Sequence, residues 1–97
     1  MAEYMDTMKD ASAKLWMFFK ARQDKEKDSD QFWEESVNTV IDIAGGFKGT
    51  ECEGYAAALA ATYIEELQRL HVRAGGNEAR IRDVLTRLIE KYGSETS

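Results

Sequence analysis

The amino-acid sequence predicts an all-α fold, a four-helix antiparallel bundle or a close variant of one. Three observations carry the prediction. Proline is absent from all 97 residues. Apolar residues recur at helical spacing in four long segments, and no window alternates convincingly with a period of two. Glycines cluster between those segments, where short joins place consecutive helices side by side in opposite directions.

The first helix is expected over about 3–25. Met5, Met8, Leu15 and Phe19 form one stripe, and Trp16, Met17 and Phe18 wrap apolar surface around the axis. The charged run that follows reads as a fraying end and an interhelical loop over 26–30. Ser29 or Asp30 caps the second helix, 31–44, whose Phe32, Trp33, Val37, Val40, Ile41 and Ala44 face inward. Gly45 and Gly46 supply a left-handed terminator. The third helix, 51–73, starts from the capping box Thr50-Glu51-Cys52-Glu53. Tyr55, Leu59, Tyr63, Leu67 and Leu70 form its stripe, and Ala56, Ala60 and Ala61 permit close approach of a neighbour. Gly75-Gly76 ends it. Asn77 caps the fourth helix, 78–92, with Ile81, Val84, Leu85, Leu88 and Ile89 inward, Gly93 past its end and a flexible tail at 94–97.

Length predicts one domain over 1–97, because a chain this size buries roughly 60–65% of its unfolded surface in a single core. With 43% hydrophobic and 10% aromatic residues the interior has enough to pack. One cysteine, Cys52, excludes an internal disulfide. Met1–Asp10 already holds four charges and does not read as a signal peptide, and the longest apolar run, Leu15–Phe19, falls far short of the ~20 residues that span a bilayer. The cytoplasm is therefore the expected location, with no membrane partner.

The formal net charge is −5, and it is unevenly spread. Residues 28–66 hold nine carboxylates against the single cation Lys48. An acidic middle of this kind disfavours direct contact with nucleic acid.

Most chemistries fail on the residues present. The window Asp24–Glu35 places acids at the spacing of a helix–loop–helix calcium site, but Ser29 stands where the sharp turn needs glycine, and Lys25 and Lys27 offset the charge. A di-iron bundle needs Glu-x-x-His, and the residue three before His71 is Gln68. One Cys and one His cannot complete a structural zinc site. Cys52 and His71, nineteen residues apart on one expected helix, would stand ~28 Å apart, too far for a nucleophile–base pair. Cys52 reads as a small residue at a helix start, and His71 as a capping or surface residue near a helix end.

The glycine-rich stretch Gly45–Thr50 lacks the spacing and the terminal Gly-Lys-Ser/Thr of a phosphate loop. A helix-turn-helix reading of the second and third helices fails on a recognition helix that would open Thr50-Glu51-Cys52-Glu53. Most of the charge of the arginines of the last third (Arg69, Arg73, Arg80, Arg82 and Arg87) is absorbed by local pairs: Glu65–Arg69, Glu66–Arg69, Glu78–Arg82 and Asp83–Arg87. The adjacent glutamates Glu34/Glu35 and Glu65/Glu66 point ~100° apart on a helix and make no acid–base dyad. No catalytic, cofactor or metal-binding residues emerge, and an enzyme is not expected.

What remains is a contact function. Leu15-Trp16-Met17-Phe18-Phe19 covers the whole circumference of a helix, so either that helix is sandwiched centrally in the core or one side of it meets a partner or a second copy, and Phe32-Trp33 poses the same problem. The expected function is a small acidic, non-catalytic interaction domain that binds itself as a homodimer or binds a protein partner, with no small-molecule substrate. The alternative is an inhibitor of the phage or mobile-element type, anti-CRISPR-like, that mimics nucleic acid to block a nucleic-acid-binding protein. Candidate contact residues are Trp16, Met17, Phe18, Phe32 and Trp33 for apolar docking, and Glu34, Glu35, Asp42, Glu51 and Glu53 for mimicry.

Overall fold

A computed structural model describes residues 2–96, with backbone placement alone for 2, 89 and 92–96. Four helices, α1 (Ala2–Arg22), α2 (Asp30–Gly45), α3 (Glu53–Arg73) and α4 (Glu78–Thr96), make up the described chain, with no strand among the described residues.

Local chemistry sets most of the boundaries. Ser29 is the N-cap of α2, its hydroxyl accepting from Phe32 N at 3.1 Å, and Asn77 does the same for α4 through Arg80 N at 3.0 Å. At the end of α3, Gly76 N donates to His71 O and Gly75 N to Val72 O, with Gly75 at φ 98°. This paired closure needs a left-handed residue, which glycine supplies without a Cβ clash. α1 stops at Arg22, short of the expected Lys25, because Lys27 turns back and its amine donates to the carbonyls of Gln23 (2.7 Å) and Lys25 (2.8 Å).

Two boundaries differ from expectation in kind. Gly46 keeps right-handed φ (−66°), and the chain leaves α2 through successive i→i+3 turns to a left-handed Gly49 (φ 83°). Those turns carry Phe47 into the core against Ala11 and Ala56. The capping box is consequently shifted: Thr50 Oγ1 accepts from Cys52 N, Glu53 reaches back to Gly49 N at 2.8 Å, and α3 begins at Glu53 with Cys52 as its cap residue. At the other end of the chain α4 runs through Gly93 to Thr96, since one glycine weakens a helix by only about 1 kcal/mol and no proline follows. The tail expected at 94–97 is thus helical as far as Thr96. Ser97 and the side chain of Ile89, expected inward, lie outside the described residues.

Consecutive helices run in opposite directions. Cys52 Sγ lies 3.7 Å from Tyr4 O at one end of the bundle, while Arg22 donates to Phe32 O and Ser36 Oγ, and Arg80 to Asp28 O, at the other. α1 packs on α2 and α3, and α4 packs on α2 and α3 from the opposite flank. α1 and α4 do not meet among the described residues. The result is a flattened rhombus of 44 × 30 × 16 Å with α2 and α3 as its shared middle.

The main core joins Leu15 and Phe18, Phe32, Trp33 and Val37, Ile64 and Leu67, and Ile81, Val84 and Leu85. Alanines 56 and 60 let α3 approach closely, as their size suggests. Two corrections follow from this packing. Met5, expected on the inner stripe of α1, is 62% exposed, because the buried line runs through Ala11, Leu15 and Phe18. His71, expected at the surface, is buried: its ring packs edge-on to Trp33 (5.9 Å, 72°) and lies over Gly76, which has no side chain to exclude it.

Candidate functional site

The ten sequence-predicted contact residues do not gather in one place. Phe18, Phe32 and Trp33 belong to the core and are unavailable to a partner, because helix packing on both flanks of α2 covers its aromatics. Trp33 is wholly enclosed, with its indole N–H donating to Lys27 O at 2.9 Å. Trp16 and Met17 are exposed at 51% and 61%. They are neighbours in sequence and so diverge by ~100° around α1. Trp16 continues an aromatic row through Phe19 to Tyr63, whereas Met17 stands apart from it.

The five acids are all exposed: Glu34, Glu35 and Asp42 on α2, Glu51 in the turn before α3, and Glu53 at its first residue. Glu35 is held by Arg22 at 3.4 Å, and Glu53 is engaged in the α3 cap. Glu34, Asp42 and Glu51 have no ion-pair partner among the described residues. Positions 30–35 of the calcium-like window are helical, and its Asp30 is paired with Arg80 at 2.5 Å. No cluster of three or more Asp, Glu, His or Cys side chains that could hold a metal ion occurs among the described residues. No helix among them is long and apolar enough to cross a membrane.

The feature that does gather side chains lies elsewhere. α4 packs more closely on α2 than on α3, and the gap left between α3 and α4 is an apolar groove of about 550 Å³. Its floor is Val37, Val40, Ile41 and Ala44 of α2, and its α3 wall is Ala57, Ala60, Ala61 and Ile64. Leu85 with the stems of Arg82 and Thr86 forms the α4 wall, and Glu65 and Gln68 stand at the mouth. Ala57 and Ala61 lie one turn apart on the exposed side of α3, so the wall is open and smooth there. Glu34 is two helical turns from Ile41 on the same edge of α2.

The cleft continues past Glu65, Gln68 and Arg82 into a second chamber of about 540 Å³, lined also by Arg69, Val72, Arg73 and Glu78. Here Arg69 is tied to Glu66 (2.7 Å) and Arg82 to Glu78 (2.6 Å). Arg73 is exposed and makes no ion pair or hydrogen bond among the described residues.

Sequence reasoning placed apolar docking on the first two helices and acidic mimicry on the second helix and the start of the third, and missed this groove. Its only sequence signal is that Gly54, Ala57 and Ala61 repeat on a face of α3 distinct from the face of Ala56 and Ala60, giving the helix two small-residue sides. Comparison with protein-family models, with curated proteins and with solved structures finds no match to this chain.

Proposed function

We propose that this chain is a small non-catalytic binding domain that receives an apolar-faced helix of a partner protein in the groove between α2, α3 and α4. The supporting observation is the groove itself: about 550 Å³, bounded by Val37, Ile41, Ala57, Ala61 and Leu85, open along its length. A monomer rarely leaves an apolar surface of that kind uncovered without using it. A small ligand is normally enclosed over most of its surface, whereas a helix laid in an open groove brings its own outer face as cover.

The test is an amide-shift titration of the ¹⁵N-labelled protein with a 16-residue helical peptide bearing a leucine stripe. Shifts at Val37, Ile41, Ala57, Ala61 and Leu85 support the reading. Shifts confined to Trp16 and Phe19 move the site to α1, and no shifts at all overturn it.

A second reading, acidic mimicry of nucleic acid, is favoured by Glu34, Asp42 and Glu51, which are exposed and unpaired. It requires partner affinity to fall steeply with salt, whereas apolar docking hardly responds.

A further inference from the structure

We infer that the groove selects a helix of defined charge pattern: an apolar stripe, a cation at its middle and an anion about eight residues toward one end. The inference rests on the docking function proposed above and adds the chemistry of the occupant. It comes from the two chambers being one cleft, sharing Glu65, Gln68 and Arg82.

Along α3 the cleft runs from Ala57 to Arg73, sixteen residues or ~24 Å, the length of a helix of about four turns. The first half is apolar and takes side chains. At the junction stands Glu65, a carboxylate with no cation partner, because Arg69 pairs with Glu66 instead. At the far end stands Arg73. The other described arginines, Arg22, Arg69, Arg80, Arg82 and Arg87, each hold a carboxylate, and Arg73 does not. Its guanidinium projects beside the chamber that Arg69 and Arg82 also line.

The two unmet charges are eight residues apart on α3, ~12 Å along the axis. An occupant lying along α3 meets Glu65 first and Arg73 two turns later. A cation opposite the former and a carboxylate opposite the latter satisfy both, and bidentate pairing with a guanidinium adds orientation. A second copy of this chain fits less well, since the α2–α3 span sets the unpaired carboxylates Glu34, Asp42, Glu51 and Glu65 against only Lys48 and Arg73, and this net negative charge would be brought together.

The experiment uses two 16-residue helical peptides with identical leucine stripes. One carries Lys at its centre and Glu in its last turn, and the other has these charges exchanged. Binding is read by fluorescence anisotropy, and sedimentation is followed in parallel. The Lys-centred peptide is expected to bind about tenfold more tightly, two exposed pairs going from attraction to repulsion. Arg73→Gln and Glu65→Gln should each shrink that ratio, and both lie on the exposed surface, where folding is not at stake. Ala57→Gln with Ala61→Gln should weaken both peptides.

Equal affinity for the two peptides, with both weakened by the alanine replacements, overturns the charge pattern and leaves the docking function standing. Failure of both peptides to bind overturns both. Dimerisation that both alanine replacements abolish makes a second copy the occupant and overturns the inference. So does saturable binding of dodecyl sulfate in the groove with no peptide binding, which would mark it as an amphiphile site.

Discussion

Replacing Gly76 by alanine tests the packing of the bundle's most constrained corner. A Cβ at position 76 would overlap Nε2, Cδ2 and Cε1 of the His71 ring. No real Cβ tolerates such contacts, so the imidazole must leave. It has nowhere to retreat inward, because it is buried edge-on against the fully enclosed Trp33. Forcing extra volume into a packed site costs roughly 1–3 kcal/mol, and the lost aromatic contact about 0.5–1.5 kcal/mol within that range. A destabilisation of about 2 kcal/mol is expected, lowering Tm by roughly 8–16 °C in a domain of this size. Urea unfolding of Gly76→Ala, His71→Ala and the double variant completes the assay. In the His71→Ala background the alanine at 76 should be nearly neutral. Equal cost with and without the imidazole would refute the clash, and a neutral Gly76→Ala in the parent chain would refute the burial of His71.

Other consequences follow from the same packing. Gly75→Ala strains a left-handed residue at φ 98° and should cost about 1 kcal/mol by urea unfolding regardless of His71, whereas Gly45→Ala, with open space around it, should not destabilise. Ser29→Ala and Asn77→Ala each remove an N-cap and should each cost about 1 kcal/mol; loss from neither would discredit the caps. Iodide should quench the fluorescence of Trp16 and spare that of Trp33, so Trp16→Phe is expected to leave a blue-shifted, unquenchable emission. Lys27, partly buried over the Phe32 ring, has its pKa lowered by desolvation, with Asp24 opposing. The unfolded chain therefore holds that proton to higher pH, and the stability of the parent should rise relative to Lys27→Gln as pH climbs through the folded value toward 10.5; a relative fall there is the refuting result.

The parts of the fold legible in the sequence are those governed by one or two turns of chain. Ser29, Asn77 and Gly75-Gly76 act where their chemistry says, and the ion pairs Glu78–Arg82 and Asp83–Arg87 form at their helical spacing. Reading failed where distant elements decide. Phe32 and Trp33 are both buried because α2 is covered from both flanks, a property of the assembled bundle and not of α2. His71 is drawn inward by a vacancy at Gly76 and an aromatic edge thirty-eight positions earlier in the chain. The groove was least legible, since it is made by incomplete coverage: α4 leans on α2, and Ala61, expected to meet a neighbour, is left exposed beside Ala57. No acid stands three or four residues from Arg73, so its lack of a local pair is legible in the sequence, whereas its place at the end of the cleft is set by the assembled bundle.

The first and last helices, each seated on the central pair and not on each other among the described residues, answer to separate constraints. A change of register or length in one leaves the other's seat untouched, so the two sides of this small protein are free to be remodelled separately, one keeping the scaffold standing while the other alters what it receives.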